Sequence, residues 1–278
     1  TSVTGVQTCA LPIFDEIGLV DKRDDFVVNN LFFNKALLPF FIREETGHIF
    51  PRVIIQPKYF SAESSKHKAE EIICALGSSR VVVKLPISNM CNGVLMLLRA
   101  EQQLPGVLRK FFSNELKTQD VGNLKRIKRS RTFLGDKSSV FVVQSLEEAL
   151  PINSCGYFCS KDDQDAHNST GRVFIVVNQN AEKTEVHLVD GYWYYMSKLG
   201  SAHAKVTDRN FAECSALMPE ETKAELQSSL CVNLARYFDL ALSFSRERLL
   251  NSLLDNANPA YSLLAQDILN SPSYIMNR

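Results

Sequence analysis

The stretch from Arg80 to Leu98, RVVVKLPISNMCNGVLMLL, constrains the chain more than any other. Two apolar runs, the first closed by a single lysine, meet across a short polar loop that ends in glycine. The β-branched run Val81-Val82-Val83 favours a buried strand, which leaves Lys84 at a strand end where its ammonium reaches out of the sheet. A lysine so placed suits a phosphate group. Ile87 to Gly93 is rich in Ser and Asn, and Gly93 lets the backbone come close to a bound group, so the segment reads as strand, flexible loop, strand. A lysine that merely snorkels to water leaves the same pattern, and both readings stand at this point.

With 278 residues the chain is long enough for one large domain or two small lobes. Its 31 basic residues balance 31 acidic ones, so no global field selects nucleic acid or an acidic membrane, and an anionic ligand needs a local site. Seven cysteines, at 9, 74, 91, 155, 159, 214 and 231, are scattered mostly within apolar runs. Reduced thiols and a cytoplasmic location are the expectation. No apolar run reaches the roughly 18 residues of a membrane span; Leu31 to Ile42 comes nearest and Lys35 interrupts it. Thr4 to Ile13, TGVQTCALPI, resembles the translation of a sequencing adapter, as in a reading frame assembled from short metagenomic reads. Residues 1–13 are therefore expected to be foreign to the fold, with the true N-terminus missing.

Phe26 to Val28 reads as a strand and Asn34 to Phe41 as a short helix near Pro39. Ser61 opens a helix with Ala69, Ile72, Ile73 and Leu76 at helical spacing and Gly77 as its C-cap. Residues 99–138 read as polar and uneven, with the basic cluster Lys125, Arg126, Lys128, Arg129 and Arg131. That cluster is either a solvated loop or a clamp for an anionic partner. Val140 to Val143 is a further buried strand, and Thr170 to Met196 a hairpin or meander turning over 178–183. From Glu220 to Phe244 a long helix repeats Leu226, Leu230, Leu234, Phe238 and Leu242, a core stripe. Two more helical stretches follow, at Arg246–Leu254 and Tyr261–Leu269. Cys155 and Cys159 have no second pair of ligands near them, so zinc is not expected. Trp193 and its tyrosine neighbours 192, 194 and 195 either stack on a base or pack on the sheet.

The succession KALLPFF, IFPR, AEEIICALG, VVVKLPISNMCNGVLML, VFVVQSLEE and GRVFIVV resembles the ATP-grasp superfamily over roughly Asn29 to Phe244. The resemblance implies an α+β fold of ATP-grasp type: two lobes of mainly antiparallel sheet with nucleotide between them. It divides the chain into an N-terminal lobe remnant (14–60), a phosphate-binding lid lobe (61–146) and a C-terminal lobe with the long helix (147–278). Lys84 and Lys35 then match the two lysines that contact ATP phosphates, by charge-assisted bonds from compact ammonium groups. Ser88, Asn89, Asn92 and Gly93 match the lid loop, whose amides cap phosphate oxygens. Gln144 to Leu146 match the adenine hinge, and Glu147 or Glu148 the ribose ligand. Arg172 matches the arginine that meets phosphoryl or acylphosphate charge, and takes the catalytic role.

The family carries acidic and asparagine ligands for Mg²⁺ on strands after the long helix, whereas Ser245 to Asn277 here reads mostly as helix. Asp190, Asp255 and Asn256 are the candidate metal ligands, with Asn258 nearby. The implied activity is ATP- and Mg²⁺-dependent ligation of a carboxylate through an acylphosphate to an amine or thiol. The alternative is an inactive nucleotide-binding relative with a regulatory, partner-contacting role.

Overall fold

The computed structural model of the chain describes residues 34–37, 53–87, 93–113, 137–146, 151–179, 183–198, 215–243 and 245–270. The expected strand at Phe26–Val28, the basic cluster at 125–131 and the adapter-like residues 1–13 lie outside them. In chain order the elements are β1 (Val53–Pro57), α1 (Ser65–Leu76), β2 (Val81–Lys84), β3 (Val94–Leu97), α2 (Ala100–Phe111), β4 (Val140–Ser145), β5 (His167–Gln179), β6 (Thr184–Lys198) and β7 (Ser215–Leu217). A long helix follows as α3 (Glu220–Leu226) and α4 (Val232–Ser243) joined by a π turn, then α5 (Arg246–Leu254) and α6 (Pro259–Asn270). The class is α+β, and every pairing between these strands is antiparallel. The elements fall into two compact units: β1 to β4 with α1, α2, α5 and α6, and β5 to β7 with α3 and α4.

In the first unit the strand order is β1-β4-β2-β3. Val81, Val82 and Val83 are all buried, as their branched side chains dictate. Val81, Val83, Leu97, Phe141 and Val143 share a core with Ala69, Ile72 and Leu76 of α1 and Leu104 and Leu108 of α2. Each such side chain contributes about 1.5–3 kcal/mol by leaving water. Ser61 caps the 3-10 turn that leads into α1 by accepting from the Ser64 amide, and Gly77 closes the helix at φ 61°, a left-handed conformation that favours glycine.

Helix α2 corrects the reading of 99–138 as irregular. Ala100, Leu104, Leu108 and Phe111 recur at helical spacing and are buried, and this stripe outweighs Pro105 inside the helix. The other side of β1 and β4 receives α6. Asp267 accepts from both the amide and the hydroxyl of Ser139 at 2.7 Å, and the Asn258 side chain donates to the Ile55 carbonyl at 3.3 Å.

In the second unit β5 and β6 form the expected hairpin, longer than the sequence indicated, and β7 extends it as a third strand. The strand pair changes register between Phe174 and Ile175, opposite Val189. Trp193, Met218, Leu226, Leu230 and Ile152 make the core, with Leu234 packed against it. A leucine repeated every four residues drifts around an α-helix by about 40° per step, since four residues exceed one turn of 3.6. The π turn at Gln227–Cys231 takes up an additional residue between Leu226 and Leu234 and holds the stripe on the core.

The same turn presents Gln227 to the edge of β6. Gln227 Nε2 donates to the Val186 carbonyl at 2.9 Å and Gln227 Oε1 accepts from the Leu188 amide at 2.6 Å, while Asp239 Oδ1 accepts from the Thr184 amide at 2.9 Å. Two helix side chains thus satisfy strand groups that β7, which pairs with 192–194, does not reach.

Candidate functional site

Lys84 is the last residue of β2 and is half-buried, with Val81 to Val83 behind it. Gln144 lies on the neighbouring central strand β4 opposite Val82, and Lys84 lies opposite Val142, so the two are diagonal neighbours on one sheet face. Lys84 Nζ donates to Gln144 Oε1 at 2.6 Å. Gln144 is only 8% exposed, so this bond satisfies a nearly buried amide oxygen.

Beyond Lys84 the chain keeps two further contacts that shape the same strand end. The Lys35 amide donates to the Pro86 carbonyl at 2.8 Å, and the Leu85 amide donates to the Gly93 carbonyl at 2.9 Å. The first docks the turn 34–37 on the chain two residues past Lys84. The second closes the base of the loop at Gly93, whose φ of 67° is left-handed. Asn34, which sequence reasoning passed over, is buried, and its Oδ1 accepts from the Ala36 amide at 2.9 Å, fixing this turn. The Asn-Lys-Ala sequence carries that signal, since Asn side chains bond their own backbone two residues on.

Ser88, Asn89, Asn92, Glu147 and Glu148 lie outside the described residues. Leu146 is described: its amide donates to the Arg80 carbonyl at 2.8 Å, so it continues the β2–β4 ladder one residue past Ser145. Its carbonyl is the group it can offer a ligand. A groove of about 800 Å³ between α1 and α2, with Ala69, Ile73, Pro105 and Gly106 in its wall, holds none of the expected site residues.

Arg172 is exposed on β5, opposite Tyr192 of β6. Asp190 lies on β6 beside the register change and Oδ1 accepts from its neighbour's amide, Gly191, at 2.7 Å and from Lys223 Nζ at 2.9 Å. The Lys223 ammonium, with the Gly191 amide, holds the Asp190 carboxyl below the usual aspartate range. Glu220 and Asp190 in turn hold Lys223 above the ordinary lysine range.

Asp255 ends α5, where its amide donates to the Asn251 carbonyl. Asn256 Oδ1 accepts from the Asn258 amide in a turn, and Asn258 Oδ1 accepts from the Ala260 amide as the cap of α6. Among the described residues no group of three His, Cys, Asp or Glu could hold a metal ion, and no helix is long and apolar enough to cross a membrane. Neither a protein-family model nor a curated protein matches the chain.

Proposed function

We propose that this chain binds ATP through the end of β2 and acts as a carboxylate ligase of ATP-grasp type. The observation that supports it best is Lys84 at the end of β2, bonded to Gln144, with the backbone of Lys35 docked on Pro86 two residues further on. Two ammonium groups suit the several negative charges of a triphosphate. An antiparallel sheet with its lysine on a buried strand is the setting in which the sequence resemblance places that site.

In this reading the substrate carboxylate oxygen attacks the γ-phosphorus of ATP, the bond to the β-phosphate oxygen breaks, and ADP leaves. An amine or thiol then attacks the acylphosphate carbonyl, displaces inorganic phosphate and gives up its proton. Positioning and charge neutralisation supply most of the rate in such chemistry. Lys84 and Lys35 orient the phosphates.

Magnesium belongs to this proposal as the ion that neutralises ATP phosphates. The residues expected to hold it fit poorly. Asp190 already has Lys223 as its cation, and the Asn256 oxygen is taken by a backbone amide. No step is therefore assigned to Asp190, Asp255 or Asn256. These same observations favour the second reading, a nucleotide-binding relative that regulates through partner contacts and does not turn over.

A thermal-shift comparison of ATP with Mg²⁺, ATP with chelator and no ligand tests the proposal. A nucleotide at 100 times its dissociation constant stabilises the native state by about 2.7 kcal/mol. No shift with either nucleotide sample would remove ATP from the reading; a shift without ADP release would select the regulatory relative.

A further inference from the structure

We infer that β5 pairs with the β5 of a second copy of the chain, antiparallel and centred on Ile175, so that two three-stranded sheets join edge to edge. This interface belongs to the second unit alone and is independent of the ligase reading. In the order β5-β6-β7, one side of β5 bonds to β6. Beyond the bridge of His167 to Ile152, the other side faces no strand among the described residues. On such an edge alternate residues turn their amide and carbonyl away from the sheet, where they await partners.

Folded proteins commonly blunt an edge by keeping it short, by placing Pro or Lys on it, or by a bulge. Every other edge here follows that rule. In the first sheet β1 has five residues and ends in Pro57, and β3 has four. In the second, β7 has three, and Gln227 and Asp239 close β6 beyond it. By contrast β5 runs for thirteen residues, HNSTGRVFIVVNQ, without proline or lysine. Phe174 and Ile175 face Asp190 and Leu188, so the additional residue at the register change is Val189 on β6, and β5 itself stays regular. Exposure alternates strictly from Gly171 to Asn178, with Phe174 54% and Val176 46% exposed on the outward side.

The sequence of β5 read against itself selects a second copy as the occupant of this edge. Centred on Ile175, an antiparallel pair sets Val173 against Val177 of the other copy, Phe174 against Val176 and Arg172 against Asn178. Inward valines then meet inward valines, and the outward aromatic ring meets a β-branched side chain, a favoured cross-strand pair. Arg172, the only Arg or Lys of the strand, falls opposite a neutral amide and not opposite its own copy. A slip of one residue would set the inward row of one copy against the outward row of the other. The two-fold axis through Ile175 makes the contact isologous, so it closes at two copies and does not propagate.

Sedimentation velocity of the full chain over about a hundredfold range of concentration tests the inference, with hydrogen exchange measured at both ends of that range. A monomer–dimer equilibrium is expected, and alternate amides within 171–179 should become protected as the dimer forms. The double variant Phe174→Lys, Val176→Lys sets lysine opposite lysine twice across the two-fold axis and should raise the dimer dissociation constant at least tenfold. Phe174→Lys, Val176→Glu sets lysine opposite glutamate and should recover most of that loss. Both positions are exposed, so the two double variants are expected to unfold at the same midpoint as each other when monomeric. A monomer at every concentration, a dimer that both double variants weaken equally, or protection that rises elsewhere and not in β5 would each overturn the inference. ATP titrations against Lys84→Ala test the nucleotide reading separately, so the two failures are told apart.

Discussion

Lys84 Nζ and Gln144 Oε1 meet at 2.6 Å across two central strands, on a face of the sheet where the amide oxygen is nearly buried. Lys84 is thus both a proposed phosphate ligand and the donor that satisfies its neighbour. Lys84→Ala should weaken ATP binding by roughly ten- to a hundredfold, the loss of a charge-assisted bond worth about 1.5–3 kcal/mol. It should also cost about 1–3 kcal/mol of stability, because the Gln144 oxygen loses its partner. The double variant Lys84→Ala, Gln144→Leu should regain part of that stability and none of the affinity. Unfolding curves and ATP titrations of the three proteins measure both effects, and unchanged ATP affinity in Lys84→Ala would reduce Lys84 to a structural role.

Gln227 closes the edge of β6 with a donor and an acceptor at once. Gln227→Leu leaves the Leu188 amide and the Val186 carbonyl without that partner, and is expected to destabilise the second unit by about 1–3 kcal/mol. Hydrogen exchange at the Leu188 amide should speed up before exchange at the centre of the β5–β6 pair. Gln227→Glu keeps the acceptor and should preserve Leu188 protection better than leucine does.

Tyr237 in α4 is 5% exposed, and burial pushes its phenol far above the ordinary tyrosine value. The folded protein keeps this proton when the unfolded chain releases it near pH 10. The contribution is therefore fully present below about pH 10 and declines as pH rises beyond it, by up to about 1.4 kcal/mol per pH unit. Urea midpoints measured from pH 8 to 11 should fall along this slope, and Tyr237→Phe should flatten it. An identical slope in the phenylalanine variant would exclude Tyr237 as its source.

Asp190 pairs with Lys223, and this predicts how the protein responds to metal. If the pair is structural, Asp190→Asn should leave the difference between ATP affinity in Mg²⁺ and in chelator within about twofold of wild type. Its denaturation midpoint should stay close to that of wild type, as for a solvent-screened pair. Loss of the Mg²⁺ effect in Asp190→Asn would restore Asp190 as a metal ligand.

Local chemistry made much of this fold readable. The valines before Lys84, the spacing of Ala69, Ile72 and Leu76 before Gly77, and the leucine stripe from Leu226 each identified its element, because side-chain period and glycine conformation act over a few residues. Helix α2 does not follow from the reading of 99–138 as polar and uneven, although Ala100, Leu104, Leu108 and Phe111 carry the helical period. The Lys84–Gln144 bond and the docking of Lys35 on Pro86 were not legible, since register between distant strands is settled by tertiary packing. Asn256 and Asn258 looked like oxygen donors for a metal, but a cap for the following helix presents the same residue types.

The sheet β1-β4-β2-β3 has its last covering helix encoded after the whole of the second unit. As the chain leaves the ribosome, all four strands can pair while Ile55 and Val142 still await α6, which arrives only after residues 146–258 have been made. At about 5–20 residues per second, that interval lasts several seconds or more. Folding of the first unit during synthesis is thus tied to the arrival of α6, and premature termination after Ser243 would release a product whose strands expose apolar surface to other nascent chains.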